Sequence, residues 1–557
     1  MGRTKYIQHS FNGGILSPTA AGRVDIQKYY SCIKDGLNVN CHPHGGAFKR
    51  NGFEYIATLN GDGRLAKFAF NINQAYILAF TDLNVAIYKD DVFIQDVVTT
   101  YTLAQVKEIG YTQSADTMII THEDHIPRKL VRDVTTGVWS ISDVVLTGLN
   151  FPQYDYGSGD EDVISATRGW PKVCTFFEGR LWFAGLKSRP QTILGSKSHD
   201  FYDFDLGTSL ADEAIYDTLD TDQINPIVNI FPGKQLLVFT EGGEFSNSAS
   251  PITPEDSSWV RHTNYGSKFG MRPALLDGAV LFMDASGRNL REFIFTFAED
   301  SYSSNSASTL AYDIIKNPID STLVRGTHID ISNLVLLVNE DGSMAVFNTL
   351  RTEEVAGWTR WDTQGSFISV ESVYEDLYFI NQRENGYFLE KQNVDVYSDS
   401  HITLGAGGPT ITGLSHLEGQ EVQIIADGAV MPPQTVVGGE VTTDRTFTTA
   451  NVGLGYNAEV EMLDVAPANG GGVGINSHKR ILKTILRIHE TLNLKVNGKT
   501  ISFKTFGAGV LDTIPVPFSG IKEFRHLGYG RLQNFKVTSE TATPFRLLSA
   551  ESEVTTR

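Results

Sequence analysis

Four groupings in this 557-residue chain carry side-chain types that can do chemistry. His122 and His125 stand in THEDH, two imidazoles around two carboxylates, which are the residue types of a zinc hydrolase. That chemistry needs HExxH, so that one helical turn brings both imidazoles to the same face. Here the spacing is HExH in an alternating stretch, and it reads as a hairpin turn. Cys32, Cys41, His42 and His44 are zinc-ligand types, yet no CxxC half-site or HxxxH pair accompanies them. They read as a docking loop, with a structural metal as the lesser alternative. Asn497-Gly498-Lys499-Thr500 ends like a phosphate-binding loop, but the upstream Gly is missing and strand-like ISFKTF follows in place of a helix.

The fourth grouping is acidic. Asp212, Glu213, Asp217, Asp220 and Asp222 crowd the connector SLADEAIYDTLDTDQINPI at 209–227. Two carboxyls at a fixed separation would hydrolyse glycosides, given a pocket and aromatic platforms, and turnover would then be lost on replacing Asp217 or Asp220. A like-charged lumen or interface is a second reading, and an ordinary solvated loop is the plain one. The basic run His478, Lys479, Arg480, Lys483 and Arg487 suits nucleic acid, a partner's acidic surface, or the solvated face of a sheet. No catalytic residue, cofactor or metal ligand is assigned from these groupings.

The elements that must carry them repeat. Seven times the chain writes an apolar strand, a tight polar turn and a second strand: AYILAFTDLNVAIYKD at 75–90, DTMIITHEDHIPRKLVRD at 116–133, EGRLWFAG at 178–185, QLLVFTEGGEFSNS at 235–248, AVLFMDASGRNLREF at 279–293, NLVLLVNEDGSMAVFN at 333–348 and DLYFINQRENGYFLEK at 376–391. Successive copies begin roughly 40–65 residues apart, the period of small antiparallel sheets that bury their faces only against one another. The expected class is mainly β, with a β-propeller-like repeat domain. Composition agrees, since 52 Gly, 32 Phe and 21 Tyr favour strands joined by tight turns.

Four segments are expected. Residues 1–65, Gly-rich and Pro-punctuated, form an N-terminal docking or platform segment, and 66–400 carry the propeller-like repeats. Residues 401–470 form a small inserted β domain, entered through ITLGAGGPTITGL, and 471–557 a C-terminal β region, barrel or sandwich in type, completing the platform. Around 308–319, Leu310, Ile314 and Ile315 fall at helical spacing behind Ser308 and Thr309 and ahead of Pro318, which predicts a short helix.

A formal charge of −19 and a pI near 5.1 argue against a phosphate-gripping surface, because affinity for nucleic acid comes from Lys and Arg displacing counterions. The start, MGRTKYIQHSF, has no signal-like apolar core, no stretch is long and apolar enough to span a bilayer, and Tyr6 spoils a myristoylation motif. Cytoplasmic synthesis is expected. Three cysteines cannot all pair within one chain, and their scarcity suits a reducing compartment.

Several phrases together resemble a known family: FNGGILSPTAAGRVDIQKYYSCIKDGLNV at 11–39, QSADTMIITHEDHIPRKLVR at 113–132, TFFEGRLWFAGLKSRPQTILGSKSHDFYDF at 175–204, LLVFTEGGEFSNS at 236–248 and HLEGQEVQIIADGAV at 416–430. In this order they are similar to the nozzle proteins, or tail tubular proteins B, of short-tailed bacteriophages and to related tail stabilisation proteins. The resemblance implies a virion structural protein, not an enzyme, made in the bacterial cytoplasm. It implies a six-fold ring below the portal and adaptor, contacts with adaptor and with fibre or spike proteins, and non-specific passage of double-stranded DNA. It also implies that Phe11, Gly13, Gly14 and Ser17 belong to a docking element. The 412–465 segment is similar to a β domain that only some members carry. A fibre- or receptor-docking protein on a propeller scaffold is the alternative, and a propeller carbohydrate hydrolase a third.

Overall fold

A computed structural model describes residues 3–23, 25–155, 160–326, 332–465, 478–503 and 515–556. The loop at 467–477 and part of the 150–163 connector, both singled out in the sequence, lie outside the described residues. The chain is mainly β, and its repeating element is a sheet of four antiparallel strands, each hydrogen-bonded to the next.

Five four-stranded sheets and two further four-strand runs, one within an eleven-stranded sheet and one within a nine-stranded sheet, occur among the described residues, matching the seven phrases. The first contains Gly63–Asn71, Gln74–Thr81, Asn84–Lys89 and Val92–Val98; the second Gly110–Ser114, Thr117–His122, His125–Arg132 and Trp139–Asp143. The third contains Pro171–Phe177, Arg180–Leu186, Thr192–Gly195 and Ile215–Thr218; the fourth Ile227–Pro232, Leu236–Thr240, Glu244–Asn247 and Trp259–Thr263. The fifth contains Ala274–Leu276, Ala279–Met283, Leu290–Thr296 and Ser301–Ser306. The sixth runs from Asp320–Val324 through Asn333–Val338 and Met344–Leu350 to Val355–Trp361. The seventh combines Ser366–Val373, Asp376–Arg383 and Gly386–Asn393 with Gly52–Leu59, so its fourth strand precedes the first sheet in sequence. The phrases supply the second and third strands of each sheet, except that 178–185 marks only a second strand.

Burial explains the pattern. Arg180–Leu186 and Asn333–Val338 are buried at every position because both faces are covered, which is why they read as unbroken apolar runs. The charged Arg180 is tolerated there because carbonyls of Ser196, Ala211 and Glu213 take its guanidinium, each at 2.6 Å. Neighbouring sheets share cores. Phe68, Phe80, Tyr101, Met118 and Trp139 form one between the first and second, and Phe239, Phe282 and Phe293 one between the fourth and fifth.

The chain folds as two compact units. One comprises 61–309 and 317–321 and holds the first five sheets. The other comprises 1–60, 310–316 and 322–557 and holds the seventh sheet, all but the first residues of the sixth, and everything C-terminal to them. The expected boundaries at 65, 400 and 470 do not coincide with this division, because strand pairing ties distant segments together. Arg3–Gln8 pairs with Arg546–Thr556, and Asp35–Leu37 pairs with Ala458–Glu461. The inserted body at 411–454 has its own core around Leu414, Ile424 and Val452, yet His401 joins it in parallel to Glu54 of the seventh sheet.

The predicted helix at 308–319 is a correction. Only a 3-10 turn, Tyr312–Ile314, is formed. Ser308 does not cap it; its hydroxyl accepts the Leu290 amide at 3.2 Å in the fifth sheet. With that cap spent elsewhere and Pro318 close behind, too few residues remain to nucleate a helix.

Candidate functional site

Each chemistry-bearing group from the sequence has a definite place. His122 and His125 face each other across the turn of the second sheet, in register, with ring centroids 5.5 Å apart. The Asp124 amide donates to His122 Nδ1 at 3.1 Å, and Nε2 lies 3.6 Å from Glu108. Burial lowers the pKa of both imidazoles, holding them neutral. Cys32 and Cys41 are buried thiols pushed up by burial to about 11 and about 12, too high for a reactive thiolate. They fill space against glycines: a Cβ on Gly13 would lie 2.5 Å from Cys32 Sγ, and one on Gly357 2.8 Å from Cys41 Sγ. His42 packs on Phe48 at 4.3 Å. All three cysteines are free, and among the described residues no group of three or more His, Cys, Asp or Glu is placed to hold a metal ion. Asn497 and Gly498 take positive φ, 47° and 77°, making the tight turn between Lys495–Val496 and Lys499–Thr500.

The five acids separate. Glu213 accepts the amides of Thr208 and Leu210, each at 2.7 Å, and organises its own loop. Asp217, on the outer strand of the third sheet, accepts Trp259 Nε1 at 2.8 Å and the Ser257 hydroxyl, joining the fourth sheet to the third. Asp212, Asp220 and Asp222 are exposed. Neither of the two clefts described next is lined by any of the five acids.

Two clefts stand out, one in each unit. In the five-sheet unit, the first strands of the second, third and fourth sheets face the segment Phe269–Gly270–Met271–Arg272–Pro273 around a cavity of about 210 Å³. Its cations are spent. Arg64 donates to the carbonyls of Lys107, Ile109 and Gly270, and Arg272 lies 3.8 Å from the Tyr111 ring while donating to its carbonyl at 3.0 Å. Cys174, pushed up to about 12 by burial, is an inert thiol there. At this size, below the usual range for ligand pockets, the cavity is a gap between strands that the 269–273 segment braces.

In the other unit a polar cleft of about 440 Å³ lies between the turns of the seventh sheet and the inserted body, lined by Gln364, Gln382, Glu384, Asn385, His416 and Gln420 among others. Its floor is a charge network that the sequence reading missed. Arg383 grips Glu390 through Nε at 3.0 Å and Nη2 at 2.6 Å, and Asn381 and Ser400 complete the carboxylate's partners. Arg50, fully buried, holds Asp399 bidentately at 2.8 and 2.7 Å and donates also to Asn38, Asn51 and Asp362, so all five of its N–H groups are used. Its guanidinium lies 3.7 Å from the Tyr456 ring. A signal existed: Arg383 and Glu390 fall on the same phase of their strands as Phe379 and Phe388, where an inward charge requires a partner.

Phe11, Gly13, Gly14 and Ser17 are all buried within this same unit. Phe11 accepts the Gly14 amide at 3.0 Å, Gly14 pairs in parallel with Cys32 and Trp358, and the Ser17 amide donates to Leu310 O at 2.7 Å. The element seats against the chain's own sixth sheet. The basic run is divided by strand alternation: Ile481, Thr484, Leu486 and Ile488 point inward, while Lys483 pairs with Glu523 at 3.3 Å and Arg487 is exposed.

No family model matches the sequence, and no curated protein matches it. Among solved structures it is similar to the Cps50 (Swd1) β-propeller domain of Myceliophteria thermophila, at 8% identity over 61% of this chain and 99% of that one, with a TM-score of 0.38. It is also similar to BBS1N in complex with ARL6DN, at 10% identity over 62% and 97% with a TM-score of 0.36. The WD40 β-propeller domain of Doa1 gives 10% identity over 62% and 97%, with a TM-score of 0.35. At that depth these likenesses add nothing to the strand pairing, which by itself makes the chain a mainly β protein of propeller-like four-stranded sheets.

Proposed function

We propose that this protein is a structural component of a bacteriophage tail, a nozzle subunit that assembles with copies of itself below the portal and adaptor, retains the genome and then passes it. The observation that carries the proposal is the ordered set of phrases, from FNGGILSP at 11–18 to HLEGQEVQIIADGAV at 416–430, that resembles such proteins along most of the chain. The geometry is consistent with a mechanical part. Imidazoles, thiols, buried arginines and two of the five acids are engaged in holding turns and strands, and the terminal segments are bound into one sheet by Arg3–Gln8 and Arg546–Thr556. An acidic chain, with a formal charge of −19, also suits a conduit for duplex DNA, which carries a negative charge about every 1.7 Å and would be held by a track of Lys and Arg.

The test is location. Antibody raised against the purified chain should label purified particles at the tail, on the axis below the portal. Label confined to fibres would favour the fibre- or receptor-docking alternative, and the absence of label from particles would overturn the proposal.

A further inference from the structure

The outer strands of the first five sheets differ in one respect. Trp139–Asp143, Ile215–Thr218, Trp259–Thr263 and Ser301–Ser306 together expose a single large apolar side chain, Val260. Val92–Val98, VFIQDVV, is different. Val92 is 62% exposed, Ile94 44% and Val98 78%, and Phe93 between them is exposed as well. The strand hydrogen-bonds to Asn84–Lys89 on one side, and its other edge pairs with nothing among the described residues. It carries no Lys or Pro; a bulge at Ile94 and the charge of Asp96 are its only interruptions, and its exposed apolar side chains make it a template for a further strand. Asp90 and Asp91 at its turn and Asp96 within it set the sign of the partner, since a second copy of the same strand would bring like charges together.

The same sequence contains a complementary edge. Phe518–Arg525 is the end strand of the sheet that includes Lys479–Thr491 and Arg546–Thr556, and its outer side is likewise unpaired among the described residues. Ile521 is 62% exposed and Leu527, just beyond the strand, 83%. Arg487 lies opposite Ile521 in register, Lys522 sits within the strand, Arg525 is exposed at its end, and the strand's one acid, Glu523, is paired with Lys483 at 3.3 Å. Residues 471–557 carry thirteen Lys and Arg against six Asp and Glu, in a chain whose formal charge is −19.

We infer that Val92–Val98 of one copy is an interface strand whose occupant is Phe518–Arg525 of a second copy, joined by main-chain hydrogen bonds, apolar contact and opposite charge. Two different surfaces meet, so the contact is heterologous and propagates from copy to copy. It gives the self-assembly in the proposed tail role an interface, and it rests on that role only for the number of copies.

Proteins bearing Ile94→Cys and Ile521→Cys test it, since both sites are exposed and the native thiols are buried. Mixed and treated with a short bismaleimide, they should form a cross-linked heterodimer, while neither alone should dimerise. Asp90→Lys with Asp91→Lys should lower the yield about tenfold, and Arg487→Glu with Arg525→Glu on the partner should restore it. Equal self-cross-linking of the Ile94→Cys protein, no mixed product at any soluble concentration, or indifference to charge reversal would overturn the inference. Lost cross-linking with tail labelling retained would remove this pairing alone; cross-linking with tail labelling absent would remove the tail role alone.

Discussion

Lys49 sits beside a buried guanidinium with its own ammonium out of solvent, donating to Thr541 O at 2.8 Å and Tyr456 O at 3.3 Å. Burial, reinforced by Arg50, pushes its pKa down to about 7, and Asp399 only partly opposes this. The unfolded chain keeps the proton to near 10.5, so between about 7 and 10.5 unfolding takes up a proton and the fold gains stability as pH rises. Below about 7 both states are protonated and the whole cost of burying the ammonium is carried. Urea unfolding at pH 7, 8 and 9 should show the midpoint rising, with a contribution from this residue of at most about 1.4 kcal/mol per pH unit. Lys49→Met should flatten that slope; an unchanged slope in the variant would locate the titration elsewhere. Arg50 differs from its neighbour because its fork is fully occupied by Asp399, Asn38 and two carbonyls, and a guanidinium so satisfied stays charged where an ammonium does not.

At the scale of elements, FNGGILSP is a strand-and-turn wedge with no room to grow. Gly14 has φ +62°, and a Cβ there would lie 2.3 Å from the Trp358 amide nitrogen and 2.5 Å from its carbonyl oxygen. Left-handed backbone costs a non-glycine residue about 1–2 kcal/mol, and main-chain atoms cannot swing aside as a side chain can. Gly14→Ala should therefore cost more than about 2 kcal/mol in denaturant unfolding, while Gly22→Ala, with nothing within 4 Å, should be near neutral. Equal stability of the two variants would show that this element does not clamp the unit. The seven hairpins were legible in the sequence because the second strand of each, buried at nearly every position, must be largely apolar, and because their turns need Gly, Asn and Asp at short range. What joins the elements was not legible. Gly52–Leu59 completing the seventh sheet, and Asp35–Leu37 meeting Ala458–Glu461, are pairings across hundreds of residues that leave no period behind. The Arg50–Asp399 pair was hidden for the same reason, its partners being 349 residues apart. The helix expected at 308–319 failed because spacing alone cannot show that Ser308 is already bonded to another sheet.

For the molecule as a whole, the acidic balance matters only where charge lies close to what passes, since salt screens beyond roughly 8–10 Å. The five connector acids are therefore not one group. Glu213 and Asp217 hold their own loop and the adjoining sheet, and replacing them would disturb folding. Asp212, Asp220 and Asp222 are exposed and are the ones able to act on a neighbour or on DNA. If they face a lumen, their carboxylates repel the duplex, and lysines in their place would bind phosphates through counterion release. Particles carrying Asp212→Lys, Asp220→Lys and Asp222→Lys should then form in normal number but release DNA more slowly on triggered ejection, measured with an intercalating dye. The delay should shrink as salt is raised, because phosphate contacts weaken steeply with ionic strength. Normal particles with an unchanged release rate would remove these acids from the lumen and leave the tail role untouched. Tails that fail to form would place the acids instead at a contact between subunits, where like-for-opposite charge exchange on the partner surface restores assembly.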